Sequence, residues 1–157
     1  MAATIIDGFE IARQVREEVA NKTAELKTKG INPCLAVILV GENPASVSYV
    51  TGKQKALAEV GMLDKSIKLP ESTSEEELLA LIDQLNKDDS VHGILVQLPL
   101  PKHINEQKVI LAISPDKDVD GFHPVSVGNL VIGNKSYLPC TPHGIIVLLQ
   151  KMGIETN

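Results

Sequence analysis

The chain has 157 residues, of which 43% are hydrophobic and 22% are charged, and its formal net charge is −5. This length and composition are typical of one folded domain with a hydrophobic core and argue against intrinsic disorder. The acidic balance and an aromatic content of 3% argue against a nucleic-acid partner, because they provide neither a basic surface nor many stacking platforms.

The first part of the chain predicts two strands, each followed by a helix. A short β-prone run at residues 4–6 is followed by apolar residues at near-helical spacing up to Gly30. The run Leu35–Val40 is continuously apolar, which indicates a strand covered on both faces, as in a parallel sheet. Turn residues then lead into a helix that we expect from about residue 45 to 60.

The middle of the chain continues this alternation. A short strand is predicted near residues 66–69, and Ser74 and Glu77 have the spacing of a capping box that opens a helix ending near residue 86. Residues 93–96 predict another short buried strand. Two prolines follow it closely, so Gln97 should lie at the carboxyl end of that strand, where open α/β sheets bind ligands.

The last third predicts a short helix at residues 105–113, an acidic loop at residues 114–124 and a final helix that Thr141 caps and that ends near Gly153. Strands and helices therefore alternate along the chain. This pattern predicts an α/β fold, a three-layer domain with a mostly parallel sheet flanked by helices.

Tyr49 and Lys53 are candidates for proton chemistry. They are four residues apart on a predicted helix, so their side chains share a face and could act on one bound molecule. The helix follows a buried strand, which places the pair near Gln97, whose amide could hydrogen-bond the lysine amine. A solvated surface pair and a loop amide are the alternatives, because Tyr-x-x-x-Lys often occurs by chance.

Asp118 and Asp120 place two carboxylates in the acidic loop. Such a group could accept paired N–H donors from an aminopyrimidine-type ring. Asp-Gly is equally a common turn dipeptide, and Asp118 could belong to a solvated charge cluster.

Other signals for special chemistry are weak. Cys34 and Cys140 are too few for a disulfide framework, and Cys34 is expected to be a small buried residue. The four histidines lack metal-ligand spacing, so we expect no metal. The longest strongly apolar run is too short to cross a bilayer, and the N-terminal residues do not have the order of a signal peptide. We expect a cytoplasmic protein without a membrane partner.

Five segments occur in the order seen in methylenetetrahydrofolate dehydrogenase/cyclohydrolases, and the chain resembles that family over nearly its whole length. They are Pro44-Ala-Ser46, Ser48-Tyr-Val-Thr-Gly-Lys53-Gln-Lys-Ala56, Gly93-Ile-Leu-Val-Gln-Leu-Pro-Leu-Pro101, Lys117-Asp-Val-Asp-Gly-Phe-His-Pro124 and Pro139-Cys-Thr-Pro142. The third and fourth segments are highly specific in combination. The Tyr/Lys pair is not specific by itself.

The resemblance implies an enzyme of one-carbon folate metabolism. In the intact family enzyme a hydride passes from methylenetetrahydrofolate to NADP, and water then opens the methenyl product to formyltetrahydrofolate. The resemblance implies that Lys53 is the central acid/base residue. It also implies that Tyr49 lies across the pterin ring of the folate and that Gln97 tunes Lys53.

The resemblance assigns further residues to the folate site and divides the chain. Asp120 would anchor the amino edge of the pterin, while Val96 and Leu98 would line the site. Thr141 would belong to a segment near the nicotinamide. Residues 1–122 would be the folate-binding catalytic domain, and residues 123–157 a connecting segment and linker helix toward a nucleotide-binding domain.

The glycine-rich segments of the family's nucleotide-binding Rossmann domain are absent from the 157 residues, so we expect a fragment or shortened form of the enzyme. Relatives in the family are commonly homodimers and serve purine biosynthesis, and the resemblance carries both expectations. The alternative is a non-catalytic folate-binding or assembly module that keeps the fold without turnover.

Overall fold

Three strands and six α-helices alternate along residues 4–156, the part of the chain described by the computed structural model. The elements in chain order are α1 (Gly8–Thr28), β1 (Cys34–Val40), α2 (Pro44–Glu59), β2 (Leu63–Leu69), α3 (Glu75–Lys87), β3 (Gly93–Val96), α4 (Glu106–Ala112), α5 (Pro124–Val131) and α6 (Cys140–Lys151), with a 3-10 turn at Pro115–Lys117. The predicted α/β class is confirmed.

The sheet is parallel, with the strand order β2-β1-β3. β1 is central and pairs along its whole length with β2, while residues 35–38 pair with β3. A strand in this position has neighbours on both edges and helices on both faces, which explains its uninterrupted apolar sequence. A single parallel bridge between Ile94 and Asp118 extends the pairing beyond β3.

Helices cover both faces of the sheet, as the predicted three layers require. Successive residues of β1 point to opposite faces, so that Ile38 and Val37 belong to different hydrophobic clusters. The larger cluster consists of Cys34, Ala36, Ile38, Val40, Leu78, Ile82, Leu85, Val91, Ile94, Val96, Ile104, Val109 and Ile113. Cys34 is 6% exposed, which confirms it as a small buried residue.

Local capping fixes where helices α2 and α3 begin. The Asn43 side chain accepts hydrogen bonds from the backbone N–H groups of Ala45 and Ser46, and Pro44 occupies the first turn of α2. The capping box of Ser74 and Glu77 is present at α3, as predicted. The start of α2 is therefore fixed directly after the carboxyl end of β1.

Two predictions of secondary structure are wrong, and one helix was not predicted. Residues 4–6 lie outside any strand, and Ile5 is 87% exposed, because no neighbouring strand satisfies this β-prone run. Residues 124–131 form α5, which the sequence patterns had not indicated. Helix α6 begins at Cys140, and Thr141 lies inside its first turn without serving as its cap. No helix among residues 4–156 is long and apolar enough to span a membrane.

Candidate functional site

Tyr49 and Lys53 share one face of α2, as their spacing predicts. The Lys53 Nζ lies 5.7 Å from the centroid of the Tyr49 ring, within the range of a cation–π contact. Tyr49 is 66% exposed, whereas Lys53 is half-buried. The aromatic ring therefore presents an open face to solvent, on which a flat ligand could stack beside the ammonium group.

Gln97 meets Lys53 at the carboxyl end of β3. The Lys53 Nζ donates a hydrogen bond to Gln97 Oε1 at 3.0 Å, and Gln97 Nε2 donates to the carbonyl oxygen of Leu98 at 2.7 Å. The opposite amide orientation would place an NH₂ group against an ammonium and an oxygen against a carbonyl oxygen. The network therefore fixes the amide orientation and holds Lys53 at the strand end.

Asp120 lies near this pair in the loop after α4. Burial raises the pKa of the Asp120 carboxyl above its usual range, the Lys53 ammonium opposes that rise, and the charge of Asp118 adds to it. Asp120 lines a narrow apolar cavity together with Val96 and Leu98. The structure thus brings together Tyr49, Lys53, Gln97 and Asp120, with Val96 and Leu98 in the adjoining cavity.

Phe122 also lines this cavity, and the sequence patterns did not identify it. Its side chain is 47% exposed, so part of the ring is open to solvent. Val109, Ile110 and Ile113 line the cavity as well. Phe122 lies two residues after Asp120 in the family-specific segment 117–124. This closeness in sequence was the one signal that could have indicated Phe122 as a site residue.

Asp118 has a different role from Asp120. It is 3% exposed, so its interpretation as part of a solvated charge cluster is wrong. Its carboxylate accepts hydrogen bonds from the backbone N–H groups of Phe122 at 3.3 Å and His123 at 2.9 Å, and from the Ser126 hydroxyl at 2.7 Å. These bonds occupy the carboxylate within the protein.

Gly121 lets the loop turn tightly beside Asp120. Its φ is +68°, and a Cβ added there would lie 2.9 Å from the carbonyl oxygen of Tyr137. This close approach brings the start of α6 to the site. Cys140 Sγ lies 3.7 Å from the carbonyl oxygen of Val119 and 4.0 Å from Asp120 Oδ1, and burial followed by the charge of Asp120 raises the pKa of the thiol.

Thr141 follows Cys140 in the first turn of α6 but lines a different surface from the Asp120 cavity. Its side chain is exposed and lines an apolar groove between α1 and α6, which is separate from the Asp120 cavity. Its predicted place near a nicotinamide stays a prediction.

Three of the four histidines, His92, His103 and His123, bond to backbone groups in the structure. His103 Nε2 lies 2.8 Å from the carbonyl oxygen of Thr73, and His123 Nδ1 accepts a hydrogen bond from the N–H of Val125 at 3.1 Å. Within the described residues, no group of three or more His, Cys, Asp or Glu side chains is arranged to hold a metal ion.

Comparisons with known proteins point to one family. Residues 6–120 match the model of the tetrahydrofolate dehydrogenase/cyclohydrolase catalytic domain. The chain is 61% identical over 155 residues to the bifunctional protein FolD of Moorella thermoacetica and 57% identical over 157 residues to that of Bacillus subtilis. These matches cover 99% and 100% of this chain but 55% and 56% of the relatives.

Solved structures have the same fold. The bifunctional FolD enzyme of Campylobacter jejuni superposes with a TM-score of 0.95 at 51% identity, over 98% of this chain and 55% of that one. The methylenetetrahydrofolate dehydrogenase-cyclohydrolase of Trypanosoma brucei, solved with NADP and an inhibitor, gives 0.93 at 36% identity, over 99% and 54%. The chain spans about half the length of the curated relatives it matches.

Proposed function

Because the chain belongs to the tetrahydrofolate dehydrogenase/cyclohydrolase family, we propose that it carries the folate-binding and acid/base site of a one-carbon folate enzyme. The observation that carries this proposal is the convergence of Lys53, Gln97 and Asp120 at the carboxyl ends of parallel strands. An amine, a fixed amide and a carboxylate beside an apolar cavity suit a ligand with a polar ring edge and a reactive carbon.

The cavity has only about 10 Å³ of free space, so the pterin of a reduced folate would lie over it and not inside it. Its amino edge donates two N–H groups, which the charged carboxylate of Asp120 would accept. Lys53 favours that charged form electrostatically, while burial opposes it. Val96 and Leu98 would contact the ring system, and the exposed ring of Tyr49 would lie across it.

The reaction that these residues support best is the hydrolysis of methenyltetrahydrofolate to formyltetrahydrofolate. Water adds to the methenyl carbon, one of the two C–N bonds to that carbon breaks, and one proton is released. Lys53 would act in this step as the neutral amine, which takes a proton from the attacking water, and the ammonium so formed would return a proton to the departing nitrogen. Gln97 would hold the amine in place for both transfers through its 3.0 Å hydrogen bond.

The residues that the structure describes do not offer a pyrophosphate site for a nicotinamide dinucleotide. Across residues 4–156, no glycine-rich turn opens a helix in the way a pyrophosphate requires, and Gly8 begins α1 without companion glycines. We therefore assign the NADP-dependent oxidation of methylenetetrahydrofolate to the intact family enzyme. In that enzyme, residues 1–122 would form the folate-binding domain, and residues 123–157, including Thr141, would lead toward the nucleotide-binding domain.

For the intact protein we further infer a cytoplasmic location, a supply of formyl groups to purine biosynthesis and a homodimeric state. These three inferences rest on the family alone. Sedimentation of the intact protein would test the last of them, since a monomer at micromolar concentration would contradict it.

The proposed hydrolysis is tested by following the absorbance of methenyltetrahydrofolate, with spontaneous hydrolysis subtracted. We expect Lys53→Ala to lower the enzymatic rate by at least about 100-fold, as is typical for loss of a general acid or base. Lys55→Ala is the matched control, because Lys55 is an exposed lysine on the same helix. It should retain the wild-type rate within about twofold.

The outcomes separate the two candidate functions. Hydrolysis that depends on Lys53 supports the catalytic proposal. Tetrahydrofolate binding that depends on Asp120, without turnover, would instead support a non-catalytic folate-binding module with the same fold. A folded chain that neither binds nor hydrolyses folate would reject both.

A further inference from the structure

The Asp118 carboxylate closes the loop that contains Asp120. Its three donors are Phe122 N, His123 N and Ser126 Oγ, and all three lie within eight residues after it. We call these four residues the Asp118 clamp. Asp118 and Ser126 are each 3% exposed, so water does not compete for their hydrogen bond.

The negative charge of Asp118 strengthens the hydrogen bonds of the clamp. A buried carboxylate is stable only when donors compensate its charge, and hydrogen bonds to a charged acceptor are stronger than neutral ones. Two donors are backbone N–H groups just before Pro124, at the start of α5, where the helix dipole also favours a negative charge. Ser126 lies inside α5, and its hydroxyl joins that helix to the loop.

Asp120 lies between fixed points on both sides. Before it, Asp118 pairs with Ile94 beside β3, and a Cβ added at Gly93 would lie 2.5 Å from Val119 Cγ1. After it, Phe122 donates its N–H to the clamp. Asp120 itself lies in the turn that follows the bridge, and its side chain lines the apolar cavity together with Val96.

We propose that Asp118 and Ser126 are positioning residues for the folate site, and that their hydrogen bond holds the Asp120 carboxylate at the cavity. This inference rests on the proposed function, because Asp120 is the group that would meet the pterin. Asp118 does not contact the ligand in this arrangement. Its carboxylate is occupied by the clamp, and it acts through the loop.

A role in positioning differs measurably from a role in stability alone. If the clamp only stabilises the fold, a folded Ser126→Ala variant should bind folate as the wild type does. If the clamp positions Asp120, the variant should bind more weakly, and its Asp120 should be more exposed to water. Since burial raises the pKa of Asp120, that pKa should fall toward its ordinary value in the variant.

The experiment measures tetrahydrofolate affinity by calorimetry for the wild type, Ser126→Ala and a matched control. Ser90→Ala is that control, because Ser90 Oγ donates a 2.6 Å hydrogen bond to Asp88 in the loop before β3, at the opposite end of the strand from the site. We expect Ser126→Ala to weaken binding about tenfold, equivalent to about 1.4 kcal/mol, and Ser90→Ala less than about twofold.

Asp120→Asn distinguishes failure of this inference from failure of the proposed function. If the wild type does not bind tetrahydrofolate, or if Asp120→Asn binds equally well, the folate role of Asp120 is wrong. If Asp120→Asn weakens binding but folded Ser126→Ala does not, the positioning role alone is overturned. An unchanged Asp120 titration in Ser126→Ala, followed by carbon-13 NMR of its carboxyl, would also overturn it.

The test also holds if Ser126→Ala fails to fold. Ser126→Cys has a side chain of similar size and a weaker donor, so it should preserve the fold while loosening the clamp. We expect this variant to bind tetrahydrofolate about threefold more weakly than the wild type. Wild-type affinity in folded Ser126→Cys would overturn the positioning role.

Discussion

Lys53 and Asp120 influence each other electrostatically, yet the chain holds them in different ways. Lys53 lies on α2 and contacts the side chain of Gln97. The backbone N–H of Gln97 donates a 2.8 Å hydrogen bond to the carbonyl oxygen of Ile38 in the central strand. Asp120 lies in a loop whose shape depends on the buried carboxylate of Asp118. We call Lys53 with Gln97 the lysine side of the site, and the loop that contains Asp120 the aspartate side. Regular backbone structure supports the lysine side, whereas a few specific side chains support the aspartate side.

This difference predicts how each side responds to substitution. The backbone hydrogen bonds of α2 and β3 use no side-chain atoms, so substitution of Lys53 or Gln97 should reduce activity before it reduces stability. The loop has few such bonds, and its turn is packed tightly against residues 137–139. Changes in the loop should therefore alter structure and binding together.

The largest effect should come from Gly121→Ala. The new Cβ would lie 2.9 Å from the Tyr137 carbonyl oxygen, and φ of +68° disfavours any L-residue. Strain and overpacking together should lower the free energy of unfolding by about 2–4 kcal/mol, measured by urea denaturation. Folate affinity should fall as well, because the turn adjoins Asp120.

Gly133→Ala is the matched control for that substitution. Gly133 has a similar φ of +77°, but no atom lies within 4 Å of its added Cβ. We expect it to cost about 1 kcal/mol from backbone strain alone and to leave folate affinity unchanged. Equal losses for both glycines would show that φ alone matters and that the contact with residues 137–139 does not.

Gly93→Ala should have the next largest effect, and a second substitution should reverse much of it. The added Cβ would lie 2.5 Å from Val119 Cγ1, so we expect a loss of about 1–3 kcal/mol in unfolding free energy. Val119→Ala removes the clashing atom. The double variant should therefore be more stable than the two single losses predict, and additive losses would contradict a direct contact.

Gln97→Met tests the lysine side. Methionine matches the length of glutamine but cannot accept the Lys53 hydrogen bond, so the rate of methenyltetrahydrofolate hydrolysis should fall about tenfold. The backbone bond to Ile38 is unaffected, and the unfolding free energy should change by about 1 kcal/mol or less. If Gln97→Met instead lost much stability and little hydrolysis rate, the proposed contrast between the lysine side and the aspartate side would be wrong.

The same contrast explains what the sequence could predict. Lys53, Tyr49 and Gln97 belong to elements with strong periodic or apolar signals, so their meeting at the strand ends could be inferred from the order of strand and helix. The clamp could not be inferred in this way. Nothing in the spacing of Asp118 and Ser126 shows that one carboxylate is buried and the next faces a cavity, because that depends on tertiary contacts.

Helix α5 escaped prediction for a related reason. Its eight residues are mostly apolar, with Gly128 inside, and they follow an acidic loop whose turn residues dominate the local pattern. Its start depends on the side chain of His123 and on the buried carboxylate of Asp118. Phe122 and Cys140 reach the site because residues 122–140 fold back onto it. The sequence could show only that both residues belong to or adjoin family-specific segments, and not that they lie at the site.

The smallest effect expected is a gain of stability in Asp120→Asn. Burial raises the pKa of Asp120 above its ordinary value of 3.8, so the folded protein binds that proton more tightly than the unfolded chain. Below pH 3.8 the side chain is neutral in both states and matches asparagine. As the pH rises through the folded pKa, the wild type loses stability relative to the variant.

At pH 7 the asparagine variant should therefore be more stable, by less than about 1 kcal/mol, because water still screens part of the carboxylate. Asp88→Asn should behave oppositely, since hydrogen bonds from Lys65 and Ser90 hold the pKa of Asp88 well below its usual range. Denaturation from pH 3 to pH 8 measures the change for Asp120→Asn, and the free energy of unfolding at pH 7 measures the loss expected for Asp88→Asn. If Asp120→Asn is less stable at pH 7, attraction to Lys53 outweighs burial, and the charged carboxylate supports the fold that presents it.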